Sequence, residues 1–414
     1  MKNTTLLKGL GILLIITHNY AHWLPQCVDE NEYTFSPARV MQLADYLWEG
    51  GPHVLLNLFS HYGHYGVAIF LFLSGYGLVR KYEQNPNLKS ESWWRFLLRH
   101  ALKLWKLMLP AVLIFVILQM ALGSWNRPLA RLIPLLGFYS NLQPNRDLLL
   151  GPWWWFGLMM QFYLLWRLII YKRKKWVLYT LMALCLIAQI AIAWLEFGAL
   201  AEKDTLTSFL HYNFPPSMLA FGLGVAHARY GLKWLEAWWS PIIGAAIIIL
   251  GSFNAGIWCI SSAGAIMLAL SFTKLSNREA KLSGIATKLS SSDVKPSYAA
   301  VSQSNTDTKQ SASDADSTGT DTTKKVPPIL DGTDGEPYAN VVYFNVHTVL
   351  HFLGTVSAWL FALHPIVRDY CIPLARRGSD MWLYVSVAIY LCVSIVAAWV
   401  FTSLTNKKTR TTTQ

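Results

Sequence analysis

Leu6-Leu-Lys8-Gly-Leu-Gly-Ile-Leu-Leu-Ile-Ile-Thr-His18-Asn-Tyr-Ala-His22-Trp-Leu24 is the first apolar run of the chain. About 20 mostly apolar residues cross the hydrocarbon core of a bilayer as an α-helix. This run has that length and lacks a small-residue cleavage site, so it reads as a spanning helix rather than a removable leader. Lys8 starts it at one membrane surface, where a charge is ordinary. His18 follows about 15 Å further along at 1.5 Å per residue, inside the opposite half of the bilayer. His22 is one turn on and shares its face.

The rest of the chain repeats the pattern. Of 414 residues, 53% are hydrophobic and 14% charged, where a soluble chain would carry about a quarter charged. The 19 Trp residues suit bilayer interfaces. Ten stretches meet the spanning criterion: 5–24, 60–80, 101–122, 148–171, 175–195, 209–228, 234–252, 255–273, 346–367 and 381–403. The expected fold is therefore an all-α integral membrane protein, a bundle of about ten transmembrane helices. Residues 1–273 supply helices one to eight, 343–405 helices nine and ten, and 406–414 a basic tail.

Between them, 274–342 is rich in Ser, Thr, Asp, Lys and Gly, and its eight basic and nine acidic side chains nearly cancel. Such a segment buries too little apolar surface to offset ordering entropy and reads as a disordered cytoplasmic loop. Bases cluster at 80–106, at Lys172-Arg-Lys-Lys175 and after 404. The opposite loops hold Asp29, Glu30, Glu32, Asp45 and Glu49, then Glu196, Glu202 and Asp204. The positive-inside rule puts both termini in the cytoplasm of a multi-pass inner (plasma) membrane protein. The net charge of +12 is thus a topology signal, and no nucleic-acid partner is implied. Five scattered cysteines give neither a metal nor a disulfide framework. Cys27 and Cys371 both fall in outer loops on this topology and are the one candidate disulfide pair.

Polar groups within apolar spans are the candidates for chemistry, because each is costly there. A neutral imidazole can take a proton from a hydroxyl and return it to a leaving group, which suits His18 to acyl transfer; packing against a neighbouring helix is the commoner fate of such a histidine. The second span reads Gly66-Val-Ala-Ile-Phe-Leu-Phe-Leu-Ser74-Gly75-Tyr76, where small residues permit close helix approach. The fourth runs from Gly151-Pro-Trp-Trp-Trp155 to Gln161-Phe-Tyr163, and interfacial anchoring accounts for its Trp residues. The ninth holds Leu353-Gly-Thr-Val-Ser357 and Leu363-His364-Pro365.

Taken in order with Phe221-Gly-Leu-Gly224, these stretches resemble the acyltransferase 3 family of membrane O-acyltransferases over residues 5–403, apart from the 274–342 loop. The resemblance implies about ten helices, an acyl-CoA donor (acetyl-CoA by usual expectation) reached from the cytoplasm, and a hydroxylated acceptor such as a cell-envelope glycan. It maps the family's catalytic histidine onto His18 and its first-helix base onto Lys8. Nine residues separate the two here where the family commonly has ten, a rotation of about 100° on a helix. Met159 and Met160 stand where family members often carry acidic side chains.

The expected mechanism has His18 as general base and His364 assisting proton movement or positioning the acceptor. Ser74, Gly75 and Tyr163 support them, and Arg80, Arg95 and Arg99 hold the CoA phosphates; plain topogenic charge explains those arginines equally well. No metal is called for. A transporter or flippase for a lipid-linked glycan, a glycan polymerase and a catalytically silent family member are the rival readings.

Overall fold

The computed structural model describes residues 4–51, 53–87, 91–143, 149–292 and 345–411, without the side chains of 278–292 and 407–411. The described residues are helical, with no strand among them. In chain order the helices are α1 (Thr4–Ala21), α2 (Pro37–Glu49), α3 (Val54–Tyr62), α4 (Gly66–Tyr82), α5 (Trp93–Ala121), α6 (Leu132–Leu136), α7 (Trp154–Leu165) and α8 (Lys175–Leu195). They continue with α9 (Leu206–His211), α10 (Phe214–Tyr230), α11 (Ser240–Phe253), α12 (Ala255–Trp258), α13 (Ser261–Ser292), α14 (Val346–Ala375) and α15 (Asp380–Thr411). The chain divides into one unit of residues 1–278 with 345–414 and a second of 279–344.

Each of the ten predicted stretches contains helix. Five helical runs are long and apolar enough to cross a membrane: Val54–Tyr82, Trp93–Ala121, Lys175–Leu195, Val346–Ala375 and Asp380–Asn406; Ser240–Phe253 is apolar but shorter. The remaining stretches fall short for local reasons. α1 carries Lys8, His18 and Asn19 within 18 residues, α7 gives way after Leu165 to a π turn over Trp166–Ile170, and α10 has 17 residues.

Two boundaries differ from expectation. α13 passes the predicted loop start at 274 and continues to Ser292, because Lys, Arg, Glu, Ala and Leu sustain a helix and the next proline comes only at 296. Residues 293–342 of the predicted loop lie outside the described residues. α14 runs on past 367 to Ala375 with Pro365 and Pro373 inside it. Cys371 is therefore a helix residue; it and Cys27 are buried free thiols, not a disulfide.

α1 packs along α14, α3 and α4, while α4 packs on α10 and α14 on α15. Lipid tails are as apolar as Leu, so such helices associate through close packing and hydrogen bonds worth about 0.6 kcal/mol on average. Both devices are present. The Tyr390 hydroxyl on α15 donates to the Ile16 carbonyl on α1 at 2.9 Å, and the Trp153 indole donates to the Ala362 carbonyl on α14 at 3.1 Å. At the α4–α10 crossing, a Cβ on Gly75 would overlap the Phe221 carbonyl and one on Gly224 the Phe72 carbonyl. Gly75 is thus a packing residue, as small residues at membrane helix crossings usually are.

Candidate active site

The last turn of α1 enters a cavity of about 690 Å³. His18 is buried, 3% exposed. Its Nδ1 lies 2.8 Å from the Ser60 carbonyl on α3. A carbonyl only accepts, so Nδ1 carries the proton and Nε2 keeps its lone pair. Nε2 lies 3.8 Å from Oε2 of Glu32. That is too long for a hydrogen bond, but it leaves room for an oxygen about 2.8 Å from both. His18 and Glu32 both line the cavity. His22 stacks on His18 with ring centroids 4.7 Å apart, and its Nδ1 donates to the His18 carbonyl at 2.8 Å.

The loop that delivers Glu32 is held by α3. Asn57 accepts from the Val28 amide at 3.0 Å and donates to the Gln26 carbonyl at 3.2 Å, while the Ser60 hydroxyl donates to the Val28 carbonyl. Asn31 Oδ1 then accepts from the amides of Tyr33 and Thr34, both at 2.9 Å, closing an Asx turn around Glu32. Glu30 braces the turn: its Oε1 meets Arg39 at 2.8 Å and its Oε2 lies 3.4 Å from His61 Nδ1. Ser60 therefore serves twice, its side chain fixing the loop and its carbonyl fixing the His18 tautomer. Burial pushes the Glu32 carboxyl above its usual 4.5, against a hydrogen bond from Tyr33 that lowers it. Burial likewise pushes Glu30 up to about 7 despite Arg39.

Aromatic rings make up much of the wall. Tyr33 stacks on Tyr212 at 4.1 Å, both edge-on to Trp154, and Trp155 and Trp23 also line the space. Asn141, Gln161 and Asn213 hold this wall. Asn141 donates to the carbonyls of Trp154 and Tyr212 at 2.9 and 2.6 Å, and Gln161 donates to Asn213 at 2.7 Å. The Trp153–Trp155 run is thus not an interfacial anchor: Trp153 and Trp154 are buried, and Trp154 faces the cavity.

A family model of the acyltransferase domain matches residues 3–285. The chain belongs to the acyltransferase 3 family. No curated protein matches it, and no solved structure does. As an acyltransferase of this family it presents His18 and its neighbour His22 to a cavity, but none of the supporting residues expected from the sequence on other helices joins them there. His364 is fully buried, its Nδ1 donating to the Leu360 carbonyl of its own helix at 3.0 Å and its Nε2 without a partner; α14 lines the cavity with Phe361 and Arg368 instead. The Ser74 hydroxyl turns back to the Phe70 carbonyl at 2.8 Å. Tyr163 packs against His100, centroids 4.3 Å apart. Lys8 and Arg95 are exposed, Arg80 bonds Gln84 at 2.8 Å, and Arg99 pairs with Glu91. None of these four lines the His18 cavity. Met159, at a position where the resemblance leads to the expectation of an acidic side chain, is a buried core residue.

The residue that the sequence reading passed over is Glu32, taken there only as an outer-loop charge. Its signal was faint: four polar residues, Asp29-Glu-Asn-Glu32, crowded between an apolar helix and the turn. Among the described residues, no group of three or more His, Cys, Asp or Glu side chains is placed to hold a metal ion.

Proposed function

We propose that this acyltransferase moves an acetyl group from acetyl-CoA to a hydroxyl of a cell-envelope glycan, with His18 as general base and Glu32 as its carboxylate partner. The observation that carries the reading is the free Nε2 of His18 facing Glu32 at 3.8 Å in a cavity wall. An acceptor hydroxyl placed between them gives its proton to Nε2 as its oxygen attacks the thioester carbonyl. The new O–C bond forms, the C–S bond breaks, and the imidazolium returns the proton to the departing CoA sulfur. Glu32, as a carboxylate, stabilises the imidazolium while it exists, a role worth more in a partly desolvated site than in water. Glu32 fills the need that Met159 and Met160 leave open. The aromatic wall supports a sugar acceptor, since flat rings with polar edges suit a ligand that is apolar on its faces and hydroxylated at its rim.

His364 in this account is a packing residue of α14. Arg80, Arg95 and Arg99 remain candidates for the CoA phosphates on the side of the bundle away from the His18 cavity, with both termini and the 274–342 segment cytoplasmic. The acetyl group is then transferred across the membrane through the bundle.

The test is purified full-length protein in proteoliposomes with radiolabelled acetyl-CoA and extracted envelope glycan. Wild type is expected to release CoA and label the glycan, and His18→Ala to do neither while keeping its wild-type melting profile. Equal silence of both proteins across several acyl donors and acceptors would favour the transporter or the catalytically silent reading.

A further inference from the structure

The wall of the His18 cavity that faces α14 carries a cation which the transfer chemistry above does not use. Arg368 lies one turn beyond His364, 6% exposed, and lines the cavity. A charge this deeply buried is rare unless it is paired or functional. Its pairing is incomplete. Nε and Nη2 both reach a single oxygen of the adjacent Asp369, at 3.2 and 2.8 Å. One edge of the fork is thereby occupied, and the edge that includes Nη1 is left over. The guanidinium face is covered by Trp23, 5.1 Å from the ring centroid, which holds the plane still.

A planar fork with one edge left over, on a residue that lines a cavity, can take a carboxylate or phosphate in paired hydrogen bonds. The charges around the space agree. Lys203, Arg368 and Arg376 line it, against Asp29 and Glu32. Lys203 is engaged elsewhere in the protein, so the case rests on Arg368.

We propose that the acceptor bound in this cavity is anionic, and that Arg368 receives its carboxylate or phosphate group while its hydroxyl lies between His18 and Glu32. The inference rests on the acyltransferase reading for the identity of the bound molecule, and it specifies the substrate class: an acidic sugar or a sugar phosphate rather than a neutral glycan. Arg368 sets specificity by binding and takes no part in the proton transfer.

The experiment measures thermal unfolding of the purified full chain in detergent with three probes: methyl glucuronoside, glucose 1-phosphate and methyl glucoside. Wild type, Arg368→Gln and Arg368→Lys are compared. The expected result is a midpoint raised by at least one of the two anionic probes at concentrations where methyl glucoside has no effect. The more effective anion distinguishes a carboxylate from a phosphate acceptor. Arg368→Gln should lose the shift. Arg368→Lys, which keeps the charge without the planar fork, should weaken apparent anion affinity several-fold and provides the test if the Gln variant does not fold.

The proposal is overturned if neither anion shifts the wild type, if methyl glucoside shifts it equally, or if the anion effect survives in both variants. Labelled acetyl transfer to envelope glycan, run on the same preparations, separates the two readings. Transfer without anion recognition sinks only this inference; anion binding through Arg368 without transfer from any donor sinks only the acyltransferase mechanism.

Discussion

His18 and His364 are two buried helical histidines with the same first hydrogen bond and opposite prospects. Each donates Nδ1–H to a backbone carbonyl, which selects the same tautomer in both. The carbonyl for His18 belongs to Ser60 on another helix; that for His364 belongs to Leu360, four residues back on its own. The difference decides what the second nitrogen meets. His18, held from outside, turns Nε2 to a cavity and a carboxylate. His364, folded against its own helix, buries Nε2 with no partner. A tautomer makes a histidine available as a base only where its free nitrogen meets an open, polar space.

Substitutions at the two histidines should separate most widely. His18→Ala is expected to lower acetyl transfer by roughly 10²–10⁴-fold, the usual share of a general base, in steady-state assays of labelled glycan. Glu32→Gln should cost less, about 10- to 100-fold, or ~1.4–2.7 kcal/mol of transition-state stabilisation. Its pH profile should differ as well. Wild-type kcat/KM should fall on the acid side as Glu32 protonates, at a pH above 4.5 because burial raises that carboxyl. Glu32→Gln should lack this limb.

The close approach of α1 to the turn after α3 offers a third way to disturb the His18 side alone. A Cβ on Gly63 would come within 2.7 Å of His18 Cβ and 2.6 Å of the Leu14 carbonyl. Gly63→Ala should therefore cost about 1–3 kcal/mol as overpacking does, and should lower activity beyond what the loss of stability explains, as read by thermal melts and kinetics on one preparation. His364→Leu, by contrast, removes a buried nitrogen that has no partner. Activity within a few-fold of wild type and an unchanged or slightly raised Tm are expected. A collapse of kcat/KM with Tm retained would return His364 to the mechanism.

The smallest effect concerns Glu30, whose carboxyl is raised from 4.5 to about 7 by burial. Between those values the native state holds a proton that the unfolded chain has lost, so stability falls as pH rises from about 4.5 to 7 and levels off above. Glu30→Gln should flatten that slope in Tm measured across pH 4 to 8.

Much of the fold was legible because apolar length is a one-dimensional property: all ten apolar stretches contain helix, from Leu6–Leu24 to the last. What was harder to read was where polarity ends a helix. α13 outlasts its apolar part through helix-forming Lys, Arg and Ala, and α14 continues past 367 through Pro373, carrying Arg368 one turn beyond His364. His18 could be found because it interrupts an apolar run. Glu32 could not, because a loop carries no periodicity that says where a side chain points; its position depends on Asn57 and Ser60, 25 and 28 residues further along the chain. Gln161 showed a related limit. It lay within a recognised stretch, but its role became visible only once Asn141 and Asn213 stood beside it.

The central claim is that His18 and Glu32 act as one unit, and a double-mutant cycle tests it most directly. Initial rates of labelled acetyl transfer would be compared for wild type, His18→Ala, Glu32→Gln and the double variant, each shown to fold by its melting profile. The account predicts that the double variant is no slower than His18→Ala alone, because the carboxylate has no imidazolium left to stabilise. Independent, multiplicative losses would contradict it, and would place Glu32 in the cavity as a binding group with no part in the base.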